Sequence, residues 1–208
     1  MTSLFIDTTY DITLGILDDD LGWINFETFY GQKVSNILQK ETHRLLDANS
    51  LKILDLDSVI SIAGPGFYTG LRLSEGFADV LIFSGIKHFS FLSYTIPHLA
   101  GIENGIWMTK AYRGEYFFHL WNKEVSQNHL IAAKELEGFL SNVDKTSFYI
   151  HSENAIDDLS RGLIGERKTT LELLKDNSKN IFSKIINAQI KNESFYFRAP
   201  EDEFKVSL

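Results

Sequence analysis

The sequence predicts an α/β protein built as two lobes, and three observations carry that reading. Short apolar segments and segments of helical period follow one another as β-β-β-α-β-α from Leu4 to Gly85. A glycine-rich turn, Gly64-Pro65-Gly66-Phe67-Tyr68-Thr69-Gly70, joins the fourth strand of that unit to its second helix. The strand, polar turn and strand that open the chain are echoed in its second half, which divides it into a first lobe over 1–100 and a shortened, divergent one over 101–208.

Leu4–Ile6 and Thr13–Leu17 read as strands joined by Asp7-Thr8-Thr9-Tyr10-Asp11, and Trp23–Phe29 as a third strand after Asp18-Asp19-Asp20-Leu21-Gly22. Val34, Ile37, Leu38, Glu41, Leu45 and Ala48 recur at steps of three and four residues and stop near Asn49, which describes an amphipathic helix. Val59–Ala63 is short, apolar and rich in β-branched residues, as a buried strand requires. Leu71–Ser84 returns to helical period and ends at Gly85. Beyond it the chain predicts strands at Gly105–Met108, Tyr116–Trp121 and Thr146–Ile150, helices near Ala132–Leu140 and Ile181–Ile190, and a last extended piece at Phe195–Phe197.

Composition limits the function. The chain has 208 residues, 44% of them hydrophobic, enough for one sizeable core or two small lobes. No apolar run approaches the roughly 20 residues of a membrane helix, and Met1–Tyr10 lacks a basic region followed by an apolar signal segment, so a cytoplasmic location is expected. The chain has no Cys, which removes disulfides, thiol catalysis and cysteine-ligated metal. A formal charge of −8 repels polyphosphate chains, and Arg161, Arg167 and Lys168 form the densest basic cluster, so any RNA role is expected to be indirect.

Glycines at a strand-to-helix turn relieve steric limits, and a helix start offers unpaired N–H groups, which is the chemistry of a phosphate site. A nucleotide P-loop needs Gly, four residues, then Gly-Lys-Ser/Thr. Gly64 and Gly66 are followed by no such pair and Gly70 is followed by Leu71, so a tight packing turn is the expectation from the residues alone.

Three segments carry a family resemblance. They are Leu4-Phe5-Ile6-Asp7-Thr8-Thr9, Gly64-Pro65-Gly66-Phe67-Tyr68-Thr69-Gly70-Leu71-Arg72 and Ala111-Tyr112-Arg113-Gly114-Glu115-Tyr116. In order and spacing they resemble the TsaB (YeaZ) family through Asn122, and the second is similar to that family's Gly-Pro-Gly-Ser-Phe-Thr-Gly-Val-Arg pattern. The resemblance implies an actin-like, two-lobed fold of the sugar kinase and Hsp70 superfamily. It also implies a bacterial role in making threonylcarbamoyladenosine in tRNA, without performing the transfer. Its partners would be a TsaD-like catalytic subunit and a TsaE-like ATPase, with tRNA reached only through the complex. A homodimer is open to the chain when it is alone. No cofactor is then required by this chain, although a nucleotide at the partner interface stays open.

The sequence departs from the family where chemistry would sit. Magnesium-using relatives of this superfamily place a carboxylate in each lobe's strand-turn-strand. Asp7, with Thr8 and Thr9, could supply the first, but Lys110 stands where related sequences commonly have Asp, and an ammonium cannot ligate a metal. These are degenerate phosphate loops, and Asp7 is expected to bond backbone amides of its own turn. Lys33-Val34-Ser35-Asn36 stands at the approximate place of a His-Ser-like pair, and Phe67 and Tyr68 replace the usual Ser-Phe. His43, His88, His98, His119, His129 and His151 include no pair at metal-binding helical spacing, and no Gly-x-Ser-x-Gly turn occurs.

The helix after the glycine turn offers positive grounds for a partner. At about 100° per residue, Leu73, Phe77, Val80 and Leu81 form one apolar stripe and Leu71, Ala78 and Ile82 an adjoining one, leaving Arg72, Glu75 and Asp79 as a narrow polar edge. The resemblance implies that this helix and the one preceding its strand form the surface that pairs with TsaD. The expectation is that Leu71, Ala78 and Ile82 make that contact, with Gly76 permitting close approach. The leading reading is a noncatalytic scaffold with neither catalytic residue nor metal site. The alternative is a small actin-like ATP-dependent phosphotransferase using Asp7, and a metalloprotease reading lacks both zinc ligands and a nucleophile arrangement.

Overall fold

In the computed structural model, which describes residues 1–112, 114–143, 147–164 and 166–197, the opening strands form where apolar residues leave almost no polar position to expose. β1 (Ser3–Asp7) and β2 (Ile12–Leu17) are buried along their whole length, and β3 (Trp23–Phe29) lies half-buried beside them. Then come α1 (Val34–Ala48), β4 (Ser58–Gly64), α2 (Tyr68–Phe83) and β5 (Lys87–Leu92). The sheet order is β3-β2-β1-β4-β5. The two hairpin pairings are antiparallel and β1–β4 and β4–β5 are parallel, so α1 and α2 serve as the crossovers that parallel strands need.

Leu4, Ile6, Leu14, Ile16 and Val59 pack on Leu38, Leu45 and Leu46 of α1 and Ala78 and Leu81 of α2. The period of two in the strands meets the period of 3.6 in the helices there. α2 stops because Gly85 takes φ +86°, letting its N–H reach the Ile82 carbonyl while the N–H of buried Ile86 reaches that of Leu81.

The second sheet repeats the first. α3 (Ile96–Leu99) precedes β6 (Gly105–Lys110), β7 (Glu115–Trp121) and β8 (Ser126–Ala132), and α4 (Leu136–Ser141), β9 (Phe148–Ile150), α5 (Asp158–Ile164), β10 (Arg167–Thr169) and α6 (Thr170–Asp176) follow. The order β8-β7-β6-β9-β10 is that of the first sheet, strand for strand, with the same mixture of antiparallel and parallel pairings. Its core gathers Ile106, Met108, Tyr116, Phe118 and Ile150 against Leu136, Ile156 and Ile164.

One expectation needs correction. The second lobe does not take in the whole remainder of the chain: one compact unit is Ser93–Asn177, and the other is Met1–Leu92 joined by the described residues from Ser178 onward. The physical reason is α7 (Ser178–Asn187), whose fully buried Phe182 meets Phe5, Trp23 and Phe91 at ring separations of 5.8, 5.4 and 6.3 Å. α7 therefore covers the face of the first sheet opposite α1 and α2. Strands β5, β8 and β10 were not foreseen, and the helix expected near Ala132–Leu140 begins only at Leu136. Arg113 of the third motif segment and Thr146 of the expected strand lie outside the described residues.

Candidate functional site

The glycine turn is closed by its own unit. Gly64, with φ +120°, precedes a cis bond to Pro65, and a Cβ there would overlap the carbonyl oxygen of Phe195. A Cβ on Gly66 would stand 2.9 Å from the Thr9 Cα, and one on Gly70 would overlap the Thr8 carbonyl oxygen. Two hydrogen bonds sew the turns together: buried Thr8 Oγ1 donates to the Gly70 carbonyl at 2.9 Å, and the Phe67 N–H reaches the Thr9 carbonyl at 3.4 Å. Asp7, fully buried, accepts through one oxygen from the Thr9 N–H at 2.9 Å and the Thr9 hydroxyl at 2.7 Å. The glycines thus let two turns touch, and Thr8 and Thr9 occupy the space between them. Thr69 is exposed on the first turn of α2. Arg72 pairs with Glu75 at 2.8 Å and lies over the rings of Tyr68 and Tyr196 at 5.6 and 5.9 Å.

Lys110 ends β6 as Asp7 ends β1, so the shared topology gives the two residues matching positions. The ammonium is not alone. It meets Asp157 at 3.1 Å, and both oxygens of that carboxylate accept from the Tyr116 hydroxyl at 2.8 Å, while the Ser160 N–H donates to one of them at 3.1 Å. Partial burial opposes the charged form of Asp157, but hydrogen bonds from Ser160, Tyr116 and Lys110 outweigh it and hold the carboxyl at about 2. Burial first, and then the bond to Asp157, push the Tyr116 phenol up to about 12. Sequence reasoning missed Asp157, because nothing in the local pattern marks an acid brought to Lys110 by the strand-to-helix connection after β9.

The predicted partner stripe on α2 divides. Leu71 and Ala78 are 2% and 0% exposed and belong to the unit's own core, because the spacing of Leu71, Ser74, Ala78 and Leu81 follows the face laid on the sheet. They are therefore not surface residues, which corrects that part of the expected contact. Ile82 is 36% exposed, Val80 64% and Phe83 96%. Gly76, Val80 and Phe83 succeed one another at four and three residues, and a Cβ on Gly76 would meet nothing within 4 Å. This is an open apolar row with a glycine at one end. Among the described residues no group of three metal-ligating side chains is gathered, and no helix is long and apolar enough to cross a membrane.

No family model and no curated protein matches the chain. Solved structures do. YeaZ from Pseudomonas aeruginosa is 13% identical with a TM-score of 0.60, covering 90% of this chain and 92% of its own. A protein described as similar to peptidase YEAZ from Pseudomonas aeruginosa is 16% identical with a TM-score of 0.55, over 72% of this chain and 74% of its own. The ethanolamine utilization protein EutJ from Carboxydothermus hydrogenoformans is 13% identical with a TM-score of 0.52, over 87% and 89%. The two sheets of identical strand order and these structural likenesses show that the chain has the actin-like α/β fold that YeaZ and EutJ share.

Proposed function

We propose that the chain is a TsaB-like, noncatalytic scaffold for threonylcarbamoyladenosine modification of tRNA, pairing through the open face of α2 with a TsaD-like catalytic subunit. The observation that carries the reading is the row Gly76, Val80 and Phe83 on a helix whose other side is already buried, with Ile82 half-exposed at the edge of that buried side. An apolar row of this kind on a charged protein marks a contact surface, and the glycine admits a partner helix closely. The likeness to YeaZ and the glycine segment supply the class of partner. Both turns that would handle phosphate in a phosphotransferase are engaged within the chain, Asp7 by Thr9 and Lys110 by Asp157, which favours the scaffold over the alternative kinase-like reading. A TsaE-like ATPase would join the pair, and tRNA would be held by the complex.

Co-expression with the TsaD-like protein and calorimetry on the purified pair test this. A complex at micromolar concentration is expected for the wild type, and Phe83→Glu should weaken it at least tenfold, about 1.4 kcal/mol. A folded pair that does not associate would overturn the reading. Self-association lost with the same substitution would assign the row to a homodimer instead.

A further inference from the structure

The sequence holds no His pair at helical spacing, but the second unit brings two imidazoles together from separate elements. On β7, Tyr116, Phe118 and Leu120 belong to the core that α4 and α5 cover, so Phe117, His119 and Trp121 alternate onto the opposite face of the sheet. The turn Ser93–Thr95 and α3 lie over that face. The Tyr94 ring stacks on His119 at 4.2 Å, and the Trp121 Nε1–H reaches the Ile102 carbonyl at 3.1 Å. His98 follows Tyr94 by one turn of the same helical run. His98 and His119 consequently line one cavity of about 240 Å³, with Tyr94, Trp121, Asn122 and Ser126 around them.

The two rings are prepared differently. His119 Nδ1 meets Asn128 Oδ1 at 2.7 Å across the β7–β8 pair, and a carbonyl oxygen only accepts, so Nδ1 carries the proton and Nε2 keeps its lone pair. No hydrogen bond uses that lone pair, yet Nε2 is not sealed from a water-sized probe. Burial is the main cause that lowers the His119 pKa, with the charge of His98 adding to it against the Asn128 bond, and the ring is therefore neutral near pH 7. His98 is exposed and its ring makes no hydrogen bond, which leaves it free to turn toward the cavity. A metal-ligating imidazole typically donates its other N–H to a carbonyl or carboxylate oxygen, as His119 does to Asn128. Among the described residues that line the cavity none carries a carboxylate or an ammonium. Hard cations such as Mg²⁺ and Ca²⁺ thus lack the oxygen ligands they require, whereas neutral imidazoles suit a borderline divalent ion.

We propose that the imidazole of His98 and Nε2 of His119 together bind a divalent transition-metal ion of the zinc class, water completing its shell, with Asn128 as the positioning residue for His119. The site lies wholly within Ser93–Asn177, away from α2, so it and the proposed pairing surface can fail separately. The probe is Zn²⁺ alone, titrated into the full chain by calorimetry in a buffer that does not chelate it, with Mg²⁺ and Ca²⁺ as controls. One zinc ion per chain is expected at a Kd of about 10 μM, with shifts of the His98 and His119 ring nitrogens by NMR and no response to the controls. His98→Gln, at an exposed position, should fold normally and weaken zinc at least tenfold, and His119→Gln should do the same if it folds. Zinc should also raise the melting temperature of the wild type and leave that of His98→Gln unchanged. Asn128→Leu frees the His119 tautomer and should cost about tenfold in affinity. His43→Gln, on exposed α1, should bind as wild type. The proposal is overturned if zinc binds no tighter than about 1 mM, if His98→Gln leaves the affinity unchanged, or if His43→Gln weakens it equally, which would mean an adventitious ion only. An unchanged affinity in Asn128→Leu would remove Asn128 from the site.

Discussion

Lys110 and Asp157 show how one ion pair organises the polar end of the second sheet. The Lys110 ammonium joins Tyr116 and Ser160 around Asp157. Because the folded carboxyl sits at about 2, below its ordinary 3.8, the cluster stabilises the fold fully above pH 3.8 and loses that contribution as pH falls through about 2. Thermal melts of wild type and Asp157→Asn should therefore differ by a constant amount near neutral pH and converge as pH approaches 2; a gap unchanged at low pH would contradict the assignment. At the glycine turn, Gly70→Ala drives a methyl onto the Thr8 carbonyl and should cost about 1–3 kcal/mol by overpacking, measured by urea denaturation. An unchanged midpoint would mean that the two turns separate freely.

At the scale of elements, α2 is a helix with two apolar sides that answer to different demands. Ala78→Glu would place an unpaired carboxylate in the core beside Leu45 and Leu81 and should cost on the order of 3–5 kcal/mol, a large part of an ordinary domain's stability. Phe83→Glu should melt within a degree or two of wild type and affect only pairing, because the ring is 96% exposed. Circular dichroism on both variants checks the division, and equal loss of structure would refute it. The same helix marks the limit of what the sequence discloses. Its existence, its end at Gly85 and its double stripe follow from helical period, but it starts at Tyr68, three residues before the expected Leu71, and which stripe meets the sheet depends on the crossover geometry between β4 and β5. β5 itself, Lys87–Leu92, begins with Lys and His and so lacked the unbroken apolar run that made β1 and β4 readable. β8 was hidden for a related reason: as an edge strand it reads Ser-Gln-Asn-His before any aliphatic residue. Of the candidate site, the glycine turn and the Asp7–Thr9 bonds were legible because they are local. The cluster around Asp157 was not, because it joins segments far apart in the chain.

For the whole molecule, charge and topology make separate demands. With a net charge of −8, the isolated chain should bind tRNA far more weakly than the proposed complex in filter binding at matched ionic strength, and equal affinities would overturn the indirect role. Topology bears on integrity. Truncation before Ser178 would uncover the aromatic cluster that Phe182 completes with Phe5, Trp23 and Phe91. Loss of one fully buried aromatic core residue alone costs about 3–5 kcal/mol, so the truncated chain should show exposed-surface dye binding and early unfolding; a truncated chain that melts like wild type would show α7 to be dispensable. The discontinuity also sets an order of events during synthesis. The first sheet leaves the ribosome long before the helix that covers its second face, whereas Ser93–Asn177 carries every strand and helix of its own unit in one stretch. At about 5–20 residues per second, the nascent first unit waits on the order of ten seconds with Phe5 and Phe91 uncovered. The later-made unit can thus finish first, and the earlier one is the natural client for a chaperone.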